Sequence, residues 1–275
     1  MTFDLIIHRI LRIPYTLHVR SDTTIGKPKV TLVFLHGLGG TGEMWQPTIA
    51  KLKLSDVRIV TLDLVGFGKS AKPRWATYSA GLQARSLRLT MAKLFVRGKV
   101  VIVGHSLGSL VAIETLRRYP YLAKAIVLCS PPLYRAPEDS GLLRPERALR
   151  KVFGAIESNK DQFVAVSEFA TKYNVVVNKS FNVTRDNVDI FLNTLHAAIS
   201  NQTAMSDITK LRVPIEIMHG LVDPLVIGPN LYAVAKQKPR IHINEVAAGH
   251  EVMGIYEGAV AKTIRNLVVT LTAPR

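Results

Sequence analysis

Two kinds of hydrophobic pattern alternate along most of the chain. Short, nearly continuous apolar runs occur at Val30 to Leu35 (Thr31 apart), Val57 to Leu62, Val100 to Val103, Lys124 to Cys129 and Pro214 to His219. Such runs suit strands buried on both faces of a parallel sheet. Between them, apolar residues recur at helical spacing. After Ser106, Leu107, Leu110, Val111, Ile113 and Leu116 mark one face, and Arg117 and Arg118 sit where a helix C-terminus favours positive charge. Helices are expected from about Glu43 to Leu52, over 78–97, after Leu225, and from about Met253 to Leu271, with a further strand at Arg240 to Val246. Two more strands are expected near the start, Asp4 to Leu11 and Tyr15 to Arg20, with a turn near Pro14 and a loop from Ile25 to Lys29. Strands alternating with helices indicate an α/β fold with a mostly parallel sheet.

From about Leu133 to Asp207 the alternation breaks. Three helical patterns follow one another, at Pro145 to Ser158, Lys160 to Tyr173 and Arg185 to Asn201. Residues 1–132 and 208–275 are therefore expected to form the core. Residues 133–207 would be a helical cap inserted over one edge of the sheet.

Composition changes this picture little. A chain of 275 residues, 48% hydrophobic and 20% charged, suits one sizeable core. No apolar run reaches the ~20 residues that a bilayer crossing needs, so no stable membrane insertion is expected. The N-terminus mixes His8, Arg9 and Arg12 among its apolar residues and lacks a signal core, which makes a cytoplasmic location the expectation. Cys129, the sole cysteine, lies in an apolar run and reads as a buried thiol. Net charge is +16, from 36 Lys and Arg against 20 Asp and Glu. The basic residues are scattered and form no compact tract interleaved with aromatics, so no nucleic-acid partner is expected. One local exception, Arg144, Arg147, Arg150 and Lys151, would line one side of a helix and could weakly attract anionic substrates or surfaces. The pattern specifies no oligomeric state.

The chemistry concentrates at Gly104-His105-Ser106-Leu107-Gly108, between an apolar run and a helical pattern. G-x-S-x-G in that context reads as a tight strand-to-helix turn that projects the serine at the sheet edge. Its glycines are needed where a Cβ would collide with the neighbouring strand or helix. Two other signals compete. Gly37-Leu38-Gly39-Gly40-Thr41-Gly42 imitates a dinucleotide fingerprint, with Asp63 closing the next strand; yet it follows the third expected strand, not the first. Gly68-Lys69-Ser70 resembles the end of a phosphate-cradling loop, but Asp63 stands where that loop needs glycine. No nucleotide or other cofactor is expected. No metal is expected either, because no H-x-x-x-H or comparable ligand spacing is present.

Taken together, His36-Gly37, D-x-x-G-F-G-K-S at 63–70, GHSLG at 104–108, HGLVDPLV at 219–226 and AGHEV at 248–252 resemble the α/β-hydrolase superfamily in its order of nucleophile, acid and histidine. The resemblance covers nearly the whole chain. It implies Ser106 as nucleophile, His250 as base and Asp223 as orienting acid, with the backbone N–H groups of Leu38 and Leu107 forming an oxyanion hole. The family's other position for the acid, after the strand ending at Cys129, offers only Ser130, Pro131 and Pro132. His36 and His105 read as loop-positioning residues, His219 as packed at a strand end, and Glu251 as a solvent-facing helix start. Pocket-lining candidates are His105 and, from the insertion, Phe153, Phe163, Phe169, Phe191 and Met205.

The implied reaction is hydrolysis of a small or medium carboxylic ester through an acyl-enzyme. Its small-molecule substrate is the one partner expected. The same triad also serves carbon–carbon bond hydrolases, lactonases and perhydrolases. Ser106 argues against the epoxide hydrolases and haloalkane dehalogenases, which use aspartate. A non-catalytic receptor or scaffold is the alternative of a different class.

Overall fold

A computed structural model of the protein describes residues 5–136, 138–139, 141–172 and 183–273, with the side chains of all of these except 169–172. Seven strands form one sheet: β1 His18–Ile25, β2 Val30–Leu35, β3 Val57–Asp63, β4 Lys99–His105, β5 Ala125–Cys129, β6 Ile215–Gly220 and β7 Ile241–Val246. Their order is β1-β3-β2-β4-β5-β6-β7. β1 runs antiparallel to β3 and every other pairing is parallel. The helices are α1 Gln46–Ala50, α2 Ala80–Lys93, α3 Leu107–Arg118, α4 Arg144–Ser158, α5 Lys160–Lys172, α6 Val188–Thr194, α7 Ala204–Asp207, α8 Gly228–Gln237 and α9 Ile255–Thr272.

Strand pleating explains why the apolar runs are unbroken. Val33, Leu35, Val60, Leu62, Ile102 and Ile126 face one side and pack with Leu87 of α2, Val111 of α3 and Leu231 of α8. Leu32, Phe34, Ile59, Val101, Val103 and Val127 face the other, against Trp45 and with Tyr256, Val260 and Ile264 of α9. Each fully buried side chain of this kind contributes about 1.5–3 kcal/mol. Cys129 belongs to the second cluster, and burial pushes its thiol pKa up. Among the described residues no helix is long and apolar enough to cross a membrane.

The strand order carries a functional consequence. The chain leaves β2 for β3 on one side, then crosses to β4 on the other. At such a switch the loops after β2 and β4 diverge, opening a crevice at the carboxyl ends of the strands. The glycine-rich loop at 36–42 and the Ser106 turn both lie there.

The N-terminus departs from expectation. Residues Ile6–Ile10 form a wide helical turn rather than a strand, and Asp4 lies outside the described residues. Leu11 N–H donates to the Ile6 carbonyl at 2.9 Å, and Arg12 reverses the chain at φ 54°. Stacking of His8 on Tyr15, with ring centroids 3.6 Å apart, stabilises this closed turn. The first strand accordingly begins at His18 and extends to Ile25.

Between β5 and β6, α4 to α7 replace the strand-helix alternation. A satellite core of Val164, Val183, Val188 and Phe191 joins α5 and α6. Glu146, fully buried on α4, accepts hydrogen bonds from Arg135 N–H and from Asn230 Nδ2, the latter at 3.3 Å. Tyr134 Oη donates to the Leu225 carbonyl at 2.7 Å and Tyr78 N–H to Asn193 Oδ1 at 3.2 Å. These bonds dock the helical segment on the loops at the sheet edge. The third helical pattern is shorter than expected, beginning at Val188 and widening into a looser turn over Leu195–Ser200.

Candidate active site

Ser106 occupies the turn between β4 and α3 with φ 49° and ψ −114°. A left-handed φ on a non-glycine residue costs on the order of 1–3 kcal/mol and persists only where the surroundings impose it. Here they do. Ser106 N–H donates to the Cys129 carbonyl at 2.9 Å, and Ser109 Oγ to the Gly104 carbonyl at 2.8 Å. A Cβ on Gly104 would lie 2.4 Å from the Gly108 backbone, and one on Gly108 would lie 2.4 Å from the Leu35 carbonyl oxygen. The strand and helix can approach this closely only with glycine at both positions. Leu107 opens α3, so its N–H is among the first four of the helix, which have no intrahelical acceptor.

Asp223 and His250 meet from two loops, after β6 and after β7. His250 Nδ1 lies 2.9 Å from Asp223 Oδ1 and 2.8 Å from Oδ2. Against the carboxylate, Nδ1 is the protonated nitrogen, which leaves Nε2 as the basic one. The Asp223 side chain is fully buried and that of His250 is 13% exposed. Burial raises the Asp223 pKa, but the His250 hydrogen bond and charge, the Leu225 N–H and the Ser130 hydroxyl outweigh it and hold the carboxyl below its usual range. A glycine makes the meeting possible: a Cβ on Gly220 would fall 2.2 Å from the carbonyl oxygens of Ala248 and Gly249.

Behind Asp223, Ser130 sits at φ 49° with its N–H donating to the Met218 carbonyl at 2.7 Å and to Tyr256 Oη at 3.0 Å. Tyr256 Oη donates in turn to the Met218 carbonyl at 2.7 Å. The Ser130 hydroxyl lies 3.2 Å from Tyr256 Oη and also helps to hold the Asp223 carboxyl below its usual range. The position after Cys129 offers no acid of its own, but it supplies this hydroxyl.

His105 lies under His250, with Nε2–H donating to the His250 carbonyl at 3.0 Å and the ring centroids 5.0 Å apart. Burial lowers its pKa, so the ring stays neutral. His36 is also neutral: burial lowers its pKa to about 4. Its Nε2 accepts from Leu64 N–H at 2.9 Å, so Nδ1–H donates to the Gly37 carbonyl at 2.7 Å. His36 thereby ties the loop after β2 to the loop after β3.

The spacing that imitates a dinucleotide fingerprint has a structural origin. Asp63 Oδ1 accepts from Gly42 N–H at 2.9 Å and Oδ2 from Lys69 N–H at 3.0 Å and Arg20 Nη2 at 2.7 Å. Burial works against its charge, yet these donors hold its pKa down. Ser70 Oγ donates to the Asp63 carbonyl at 2.5 Å. The D-x-x-G-F-G-K-S stretch is a clasp for the glycine-rich loop.

A cavity of about 230 Å³ opens over these residues. Ser106 and His250 both line it, as do Leu38 and His105. Phe153, Phe163 and Phe191 line it as expected. Phe169 falls among the side chains outside the described set. Met205 does not line it; it sits on α7, packed against the main core cluster, and borders a separate surface pocket with Arg135 and Gln237. Glu251 is no solvent-facing helix start: it lines the cavity beside His250, and α9 begins only at Ile255. Tyr134, Val152, Ile156, Leu195 and Ile199 complete much of the apolar wall without having been singled out from sequence. Helical spacing marked them as apolar but could not tell cavity wall from core. Among the described residues no lysine or arginine lines the cavity. Arg150 donates instead to the carbonyls of Arg135 and Ser200, while Arg144, Arg147 and Lys151 are exposed. Among the described residues no cluster of His, Cys, Asp and Glu could hold a metal ion.

Comparison with known proteins gives a consistent picture. A family model described as alpha/beta hydrolase fold matches residues 30–254. The chain is 26% identical to a probable lysophospholipase, BODYGUARD 4, of Arabidopsis thaliana over 123 residues, 44% of this chain and 30% of that one. It is 30% identical to Lipase 3 of Moraxella sp. (strain TA144) over 112 residues, 41% of this chain and 34% of that one. These matches span about a third of each curated relative's length. A thermophilic esterase from Thermogutta terrifontis shares the fold, with a TM-score of 0.71, 21% identity and 94% of each chain covered.

Proposed function

The chain belongs to the α/β-hydrolase fold family, and we propose that within it the protein is a serine hydrolase cleaving a carboxylic ester of small or medium, uncharged acyl chain. The observation that carries this reading is Ser106, held at a left-handed φ at the mouth of the cavity that His250 also lines. His250, oriented through Nδ1 by Asp223, would take the Ser106 proton on Nε2 as Oγ attacks the ester carbonyl. The negative oxygen would be met by the N–H groups of Leu38 and Leu107, donors fixed before the charge develops; one such donor is worth roughly 3–4 kcal/mol in the transition state. His250 would pass its proton to the departing alcohol. Water, deprotonated by the same nitrogen, would then release the acid and restore Ser106.

The cavity wall supports the substrate class. Phenylalanine and aliphatic side chains dominate the wall among the described residues. An uncharged acyl chain gains from burial against such a wall. The helices of 133–207 would act as the cap that sets chain length. Lipase and lysophospholipase relatives favour an ester over carbon–carbon, lactone or peracid chemistry. The test is hydrolysis of p-nitrophenyl esters of increasing acyl length by the wild type and by Ser106→Ala. A chain-length optimum lost by on the order of 10³-fold or more in the variant is expected. Full activity of Ser106→Ala would overturn the proposal.

A further inference from the structure

Four large aliphatic side chains stand in solvent near the start of the chain. Ile6, Ile10, Leu11 and Ile13 are 38%, 57%, 60% and 45% exposed. The segment that carries them is nonetheless held in one shape. Leu11 N–H donates to the Ile6 carbonyl, Ile13 N–H to the Ile7 carbonyl at 3.1 Å, and His8 Nδ1–H to the Ile13 carbonyl at 2.6 Å. His8 stacks on Tyr15, which is buried in the core and faces Trp75 at 6.1 Å. The aromatic pair is turned inward and the aliphatics outward, the reverse of what burial of apolar area alone would produce.

Cations accompany the exposed aliphatics. Arg9 and Arg12 are interleaved with them, and Lys72 and Arg74 are exposed on either side of Pro73, next to Trp75. None of the four makes an ion pair among the described residues; Arg144, Arg147 and Lys151 on α4 are likewise exposed without one, but no comparable group of exposed aliphatics adjoins them in sequence. Exposed aliphatics flanked by unpaired cations are the two ingredients of interfacial membrane binding. The net charge of +16 provides long-range attraction to a negative surface.

We propose that this N-terminal face docks on an anionic lipid bilayer. Ile6, Ile10, Leu11 and Ile13 enter the headgroup–acyl boundary, and Arg9, Arg12, Lys72 and Arg74 pair with lipid phosphates and anionic headgroups. The docking is peripheral and reversible, and it does not depend on the reaction assigned to Ser106.

The test is co-sedimentation of the full chain with vesicles of phosphatidylcholine alone and of phosphatidylcholine mixed with phosphatidylglycerol. Binding to the mixed vesicles, weakening as salt is raised, is expected. Each basic residue near a negative membrane surface is worth about fivefold in partition, so Arg9→Glu/Arg12→Glu should lose at least about 30-fold. Ile10→Asp/Leu11→Asp should also fall well below wild type. Both pairs are exposed, so melting temperature and hydrolysis of a soluble ester should be unchanged. Failure to bind the mixed vesicles would overturn the proposal, as would binding retained by both variants. Loss of binding only in Arg144→Glu/Arg147→Glu would assign the contact to α4 and overturn it too. So would a dimer in sedimentation velocity that Leu11→Asp dissolves while vesicle binding is absent, since the face would then meet a second copy of the chain.

Discussion

Replacing Asp223 with asparagine probes the proposed machinery at the atom that sets the histidine's tautomer. Both carboxylate oxygens lie within 2.9 Å of His250 Nδ1, so the proton stays on that nitrogen and Nε2 keeps its lone pair. An asparagine amide can turn its NH2 toward Nδ1. That would move the ring proton to Nε2, which could then no longer accept the hydroxyl proton. The imidazolium formed during attack would also lose its countercharge. In the best-known triad the equivalent exchange lowers turnover by about 10⁴, or ~5.5 kcal/mol of barrier. A loss of that order in kcat is expected here. KM should stay within about twofold, because Asp223 does not line the cavity. Turnover of a p-nitrophenyl ester measures both constants, and thermal melting checks that the variant is folded. A folded Asp223→Asn enzyme with kcat within tenfold of wild type would refute the assignment.

Three further outcomes follow from the surrounding structure. Asp63→Asn should destabilise the fold at neutral pH. The Asp63 pKa is depressed in the folded state, so its contribution is present above the unfolded carboxylate value of about 3.9 and fades as pH falls through the folded one. Melting curves of variant and wild type should therefore converge in acid, and a constant gap would contradict the clasp. Gly108→Ala forces a Cβ against the Leu35 carbonyl and should cost at least the 1–3 kcal/mol of an overpacked site, read as a lower denaturation midpoint. Phe153→Ala enlarges the cavity from the α4 side, and the preferred acyl chain should lengthen in the p-nitrophenyl series; an unchanged optimum would remove α4 from the pocket.

Much of the framework is legible in the sequence because its constraints are local. The unbroken run at Val100 to Val103 announces a doubly covered strand, and glycines at 104 and 108 announce the close crossing of strand and helix. β2, β3 and β6 fall within a residue or two of their expected limits for the same reason. The N-terminal turn was not legible, since apolar residues between His8 and Arg12 suit a strand as well as a helix. The His8–Tyr15 stack that decides between them is a contact across the turn. Glu251 and Met205 exchanged places for a related reason: position along the chain does not say which loop end faces the cavity. Ser130 stands where the family's other acid would be, and its hydroxyl instead helps to hold the Asp223 carboxyl below its usual range.

The central claim is that Ser106 is an activated nucleophile, and labelling with a fluorophosphonate followed by peptide mass spectrometry tests it most directly. The account predicts a single phosphonylated peptide carrying the adduct on Ser106. That adduct should be absent in Ser106→Ala and form far more slowly in His250→Ala. No adduct on the folded protein, or an adduct that survives in Ser106→Ala, would contradict it.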